Sequence, residues 1–213
     1  LILNEVFANA VGSDLGQEWL EFYVTGEQVF DLNGLIVKQT NAAGNSRQWQ
    51  ISHSDCLIAQ TAQYILIGVN AIDDFAQRIP FDAVVSGEQL YNTASTFELI
   101  ANAIPIDQVT LPAPKESASM ARSPETQFPS SAGEIVFCPE HLVTEGITAS
   151  PRMANTLCGE VCLDQGVWRR PITPQAGEVL ISEIFSNPAG TDALADKEWL
   201  ELFVTADHDV DLT

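Results

Sequence analysis

The chain has 213 residues, enough for one large domain or one and a half modest ones, and its 46% hydrophobic content is that of a globular protein. Nine Lys and Arg against 29 Asp and Glu give a net charge of −20, a surface that repels phosphate backbones and anionic lipid and so argues against nucleic-acid partners. Such acidity suits basic proteins, divalent cations or a salty medium, and it also serves plain solubility.

The opening "LILNEVF" is too short and too polar for the core of a signal peptide. With no initiating Met and an abrupt end, the sequence is expected to be a piece of something longer. The segment "EWLEFYVT" (18–25) alternates as a period-two strand requires. Leu20, Phe22 and Val24 point one way, and Trp19, Glu21, Tyr23 and Thr25 the other. Further strands are expected at "GLIVKQT" (34–40), "SRQWQIS" (46–52) and "QYILIGV" (63–69). "IDDFAQR" (72–78) is the one plausible helical turn. Strands resume at "STFELIA" (95–101), "IDQVTL" (106–111), "ASMARS" (118–123) and "EIVFC" (134–138), with turn signals such as "NAAGN" and "SAGE" between several of them. Many short strands at regular spacing predict an all-β sandwich or barrel. Its core is expected to hold Leu20, Phe22, Val24, Ile36, Ile65, Ile67, Leu99 and Val109. No apolar run approaches the ~20 residues that span a bilayer.

From about 139 onward the strand signals fade into a stretch rich in Pro, Gly and Cys. The first module is therefore expected over 1–156, a linker over 157–177, and a second module from 178 to 213. The second module opens by repeating the first. "LNEVFANAVGSD" (3–14) returns as "ISEIFSNPAGTD" (181–192), and "EWLEFYVT" as "EWLELFVT" (198–205). Identical pairs include Glu5/Glu183, Phe7/Phe185, Asp14/Asp192, Trp19/Trp199 and Glu21/Glu201, and the loop before the second Glu-Trp is two residues longer. Residues 178–213 thus read as the first hairpin of a second sandwich, with Leu200, Leu202 and Val204 exposed because no partner sheet follows.

An even count of cysteines, Cys56, Cys138, Cys158 and Cys162, favours disulfides and an oxidising compartment over zinc. Four cysteines allow three pairings, among which sequence does not choose. The pair favoured here is Cys138–Cys158, which would pin the strand-poor tail to the sandwich.

The stretch "LILNEVFANAVGSDLGQEWLEFYVTGEQVFDLNG" resembles the opening of a lamin-tail domain. The resemblance rests on Asn4, Glu5, Asn9, Glu18, Trp19, Glu21, Asp31, Leu32 and Gly34. Weaker likenesses follow in order at "QLYNTASTFELI", "IDQVTLPAPKESASMARSP" and "GITASPRMAN". The resemblance implies an immunoglobulin-like β-sandwich. Ala10 stands where that family often has Pro, and Leu35 where it usually has Trp. The basic surface of the nuclear members is absent, which argues against a nuclear, DNA-binding role. The cysteines and tandem arrangement resemble those of secreted or surface-attached bacterial relatives, in which such modules stand in arrays or accompany hydrolase domains.

Candidate chemistry is sparse. Glu5, Glu18 and Glu21 lie on or beside adjacent strands, so two of them would meet either as an acid/base pair or as acceptors of loop hydrogen bonds. Asp14 and Glu18, with Asp192, Asp196 and Glu198 in the repeat, offer the hard oxygens that hold Ca²⁺, though not in EF-hand order. No other cofactor is implied. Trp19 and Trp199 would cover a sheet edge, pack under a loop or offer a stacking platform for sugar. His53, His141 and His208 are scattered, and no H-E-x-x-H, G-x-S-x-G or phosphate-loop motif occurs. Two functions stand. One is a non-catalytic adhesion, tethering or binding module of a larger exported protein, partnered by protein or surface polymer. The other is part of an extracellular nuclease or phosphatase whose catalytic domain lies elsewhere.

Overall fold

A computed structural model describes residues 1–126, 136–159, 161–164, 166–169, 173–186, 198–208, 210 and 212. It divides into two units, Leu1–Cys158 and Gly159–Thr213. The first boundary falls two residues beyond the predicted 156.

Unit 1 is an all-β sandwich. Its strands in chain order are β1 (Ile2–Phe7), β2 (Glu18–Tyr23), β3 (Phe30–Asp31), β4 (Ile36–Asn41), β5 (Ser46–Gln50), β6 (Ile58–Ala59), β7 (Tyr64–Val69), β8 (Ala83–Val85), β9 (Ser95–Ala101), β10 (Ile104–Leu111), β11 (Met120–Arg122), β12 (Phe137–Pro139), β13 (Val143–Thr144) and β14 (Ile147–Thr148). The predicted helical turn is α1 (Asp73–Arg78), between β7 and β8. One sheet runs β12-β11-β1-β2-β7-β8, and the facing sheet runs β10-β9-β4-β5. Neighbours are antiparallel except the β7–β8 pair. Leu3, Val6, Leu20, Phe22, Ile65 and Ile67 of the first sheet pack on Val37, Trp49, Phe97, Leu99, Val109 and Leu111 of the second. Burying each such side chain stabilises the fold by ~1.5–3 kcal/mol. Arg122 on β11 and Asp107 on β10 add a 2.7 Å ion pair, almost wholly buried, that ties one sheet to the other.

One core expectation is corrected. Ile36 is only partly buried, and Val37 and Gln39 of β4, with Leu35 just before it, take the inward positions instead. The phase is set by register: Val37 lies opposite Leu99 of β9, both inward, and Ile36 opposite Ile100. With a period of two, a slip of one residue exchanges the faces.

The six-stranded sheet is buried on its outer face as well, so all but the last residue of β2 is sealed from solvent. Phe7, Trp19 and Leu66 form a second apolar cluster with Phe75 and Ile79 at α1 and with Ala149. Gly68 allows this closeness, because a Cβ there would come within 2.8 Å of the Phe81 ring. Residues 140–158 lie across the same face as a strap, fastened by the disulfide Cys138–Cys158. That pairing is the one favoured from sequence. Cys56 corrects the expectation that every cysteine is bridged: it is an exposed free thiol in the loop before β6, while Cys138 and Cys158 pair with each other. The Cys162 side chain lies outside the described residues.

Unit 2 holds two hairpins. Residues 157–177, expected as linker, contain the first, β15 (Cys162–Asp164) with β16 (Val167–Arg169). The second pairs β17 (Val179–Phe185) with β18 (Trp199–Val204). Its register reproduces that of β1 and β2 pair for pair, since Glu183 faces Glu201 as Glu5 faces Glu21, and Phe185 faces Trp199 as Phe7 faces Trp19. Even the ring stacking recurs, with centroids 5.9 Å apart in both copies. Leu200, Leu202 and Val204 are 53%, 43% and 41% exposed, as expected, whereas Leu20, Phe22 and Val24 are sealed.

Candidate functional site

The carboxylates singled out in the sequence are buried. Glu5 and Glu21 lie directly opposite each other on β1 and β2, on the outer face, beneath the strap. The register of this pair shifts by one residue at Asn4, a β-bulge that re-aims the Asn4 side chain. Asn4 Nδ2 donates to Glu21 Oε1 at 2.9 Å and to Asn155 Oδ1 at 3.2 Å. In the repeat, Ser182 takes the Asn4 position and donates to Glu201 Oε1 at 2.5 Å.

The strap and Ser119, just before β11, supply the remaining donors. Ser150 N donates to Glu5 Oε1 at 2.9 Å, Arg152 N to Glu21 Oε2 at 2.5 Å, and the Ser119 hydroxyl also to Glu5 Oε1. Asn155 Nδ2 donates to the backbone carbonyls of Asn4 and Arg122 at 3.0 and 2.9 Å. Glu140, on the strap itself, accepts from the backbone N–H groups of His141 (2.6 Å), Leu142 (3.1 Å) and Thr156 (3.0 Å), and from the Thr156 hydroxyl (2.5 Å).

Burial pushes the Glu5 carboxyl up to about 7, with the nearby Glu140 charge adding to it against opposing bonds from Ser119 and Ser150. Burial, then the charge of Glu5, holds Glu21 well above the usual carboxylate range. Glu140 goes the other way, because its donors from Thr156, His141 and Leu142 together outweigh burial. Within one cluster the same residue type is thus shifted in opposite directions, by the balance between burial and hydrogen-bond donors.

Glu18 belongs to a separate place, at the start of β2. Both its oxygens accept from Leu90 N at 3.0 Å, and burial, then the Asp14 charge, raises its carboxyl to about 8. Asp14 accepts from Ala10 N at 2.8 Å and from Asn92 Nδ2 at 2.6 Å. The two proposed Ca²⁺ ligands of the first copy are therefore engaged in holding loops. Among the described residues no group of three or more His, Cys, Asp or Glu is placed to hold a metal. Of the repeat's set, Glu198 is exposed, and Asp192 and Asp196 lie outside the described residues.

The other motif residues have structural partners. Asn9 Nδ2 donates to the Pro114 carbonyl, and Asp31 Oδ1 accepts from Asn33 N and Leu57 N at 3.0 Å. Leu32 is in the core, and Gly34 takes the left-handed turn (φ +90°) that leads into β4. Trp19 packs under α1 and the strap and is closed to a sugar, whereas Trp199 is 45% exposed. His53 Nδ1 accepts from Asp55 N at 3.2 Å in an exposed turn. A cavity of about 420 Å³ at one end of the sandwich is lined by Leu1, Phe30, Leu35, Ala101 and Ile106 among others, with Asp31 as its acid; the buried glutamates do not line it.

Sequence reasoning expected two of Glu5, Glu18 and Glu21 to meet without saying which, and missed Ser119, Glu140, Ser150, Arg152, Asn155 and Thr156. The signal available was "ITASPRMANT" (147–156), which is dense in the small hydroxyl and amide donors a buried carboxylate needs. Comparisons with protein-family models and with curated proteins find no match for this chain.

Proposed function

We propose that unit 1 is a non-catalytic binding or tethering module, an immunoglobulin-like sandwich of the lamin-tail type, within a larger exported or cell-surface protein. The observation that carries this reading is that Glu5, Glu18 and Glu21, its candidate catalytic acids, are fully buried and committed to holding the strap and loops. A general acid or base has to reach the proton it moves, and these three reach only the protein. The repeat of the hairpin, register included, supports a modular array opened again near residue 178. The disulfide supports an oxidising compartment. A net charge of −20 favours basic or cationic partners over DNA and RNA.

The test is direct binding of the full chain to basic proteins and cell-wall polysaccharides, with duplex DNA as control, alongside assays for phosphomonoester and phosphodiester hydrolysis. Saturable binding to a protein or polysaccharide, with neither DNA binding nor turnover, is the expected result. Turnover abolished by Glu18→Gln or Glu21→Gln would overturn the proposal.

A further inference from the structure

The contacts of one hydroxyl favour a proton on Glu5. Ser150 Oγ lies 3.2 Å from Glu5 Oε2, 2.9 Å from Glu140 Oε2 and 3.0 Å from Asn155 Oδ1. A serine hydroxyl carries one hydrogen, so it donates to only one of three oxygens. Asn155 faces Ser150 with its carbonyl, because its amide nitrogen is spent on Asn4 and Arg122. Glu140 already has four donors and is the natural carboxylate. On Glu5, Oε1 is taken by the Ser119 hydroxyl and Ser150 N, while Oε2 meets Ser150 Oγ. If Oε2 carries a hydrogen it donates to Ser150, which in turn donates to Glu140. If it carries none, the single Ser150 hydrogen leaves two of the three oxygens facing Oγ without a proton, where a protonated Glu5 leaves only that of Asn155.

The surroundings favour the protonated form. Glu21 stands directly opposite Glu5, so two ionised carboxylates would share a site closed to water. The other titratable groups nearby are Tyr23 on β2, Tyr64 on β7, Glu140 and Arg152 on the strap, and Asp82 before β8. Arg152 is the cation of this set, and its guanidinium is held by Asp82 at 2.9 Å and by the Pro80 carbonyl at 3.0 Å. The opposed pair is written twice, since Glu183 and Glu201 recur in the same register with Ser182 as donor.

We propose that Glu5 and Glu21 hold one proton between them at neutral pH and that this proton latches residues 140–156 onto the sheet, so that losing it in alkaline solution releases the strap. The fastening is local, because Ser150 and Arg152 give their backbone N–H groups to Glu5 and Glu21 of the sheet, while Thr156 closes the strap on its own Glu140. The direction agrees with Glu5, whose folded carboxyl is raised from 4.5 to about 7. A raised carboxyl contributes stability fully below its unfolded value and loses it as pH climbs through the folded one. The latch is therefore closed in acid and opens above neutrality. This inference is independent of the proposed function.

Two measurements on the full chain test it. In carbon-13 titration of the glutamate carboxyls, the Glu5–Glu21 pair is expected to release its last proton only at about pH 7 or above; both carboxyls fully ionised below neutrality would overturn the proposal. Amide hydrogen exchange, corrected for intrinsic rates, is expected to show protection at Ser150, Arg152 and Thr156 falling at least about tenfold between pH ~6 and ~9, while β9 and β10 keep theirs. Equal protection of the strap at both values would overturn it. Glu5→Gln, which offers Ser150 an N–H in place of the acid O–H, should make that protection independent of pH. If this variant does not fold, the carboxyl titration of the unaltered chain decides.

Discussion

At the scale of single residues, a buried carboxyl behaves according to its donors. Glu18 is the cleanest case, with one backbone N–H, that of Leu90, set between its two oxygens. Its carboxyl is raised to about 8, chiefly by burial, so its contribution to stability is complete below its unfolded value of 4.5 and declines as pH rises toward 8. Glu18→Gln keeps an acceptor for Leu90 and removes the ionisation, so urea unfolding should show a smaller loss of stability in alkaline buffer than the parent. Glu18→Ala should lower stability by about 1–3 kcal/mol at every pH, because it strands a buried N–H. Equal pH dependence in the Gln variant and the parent would refute this account. At this scale the sequence revealed which residues matter and not their state. Alternation along β2 implies a wet face carrying Trp19 and Glu21, and the groups that dry that face come from α1 and from near residue 150. No local pattern reports a cover so distant in sequence.

At the scale of elements, strand phase decides what a mutation costs. Val37→Ala empties an inward site of β4 and should cost about 2 kcal/mol, whereas Ile36→Ala, on the half-exposed face, should cost under about 1 kcal/mol. Chemical denaturation of the two variants checks the order; a reversal would restore the phase expected from sequence. The longer strands were legible: β5, β7 and β9 fall inside the predicted segments, as does α1 within its predicted turn. The two- and three-residue strands β3, β6, β8, β13 and β14 were not, because so few residues carry no period and their pairing is fixed by the strands they meet. Ile36 was misplaced for a related reason. "LIVK" is apolar at three successive positions, so alternation offers two phases, and only the pairing with β9 selects one. The 157–177 stretch hid its hairpin similarly, since β15 and β16 have three residues each.

At the scale of the molecule, the repeat was the most legible feature, and its detail survives into three dimensions. The same opposed residues, the same bulge and the same stacked rings recur in both hairpins. Their environments differ throughout: the first is sealed on both faces, and the second has large apolar side chains exposed along both strands. Register is thus written within a hairpin by its own alternation and bulge, while burial is supplied from elsewhere in the chain.

The disulfide also has a mechanical consequence. Cys138 sits on β12, which pairs with β11, which pairs with β1 near the start of the chain. Cys158 is the last residue of unit 1. A pull between the two ends of the chain therefore enters through β1 and leaves through the sulfur–sulfur bond, bypassing the strap between the cysteines. While oxidised, that 20-residue separation is a closed circuit that bears no load and adds no extension when the sheet ruptures. Reduction puts it in series. In single-molecule stretching of the whole chain, the contour length released by unit 1 should grow by about 70 Å on adding reductant, at ~3.3–3.6 Å for each residue freed. An unchanged length would mean that the strap carries force already.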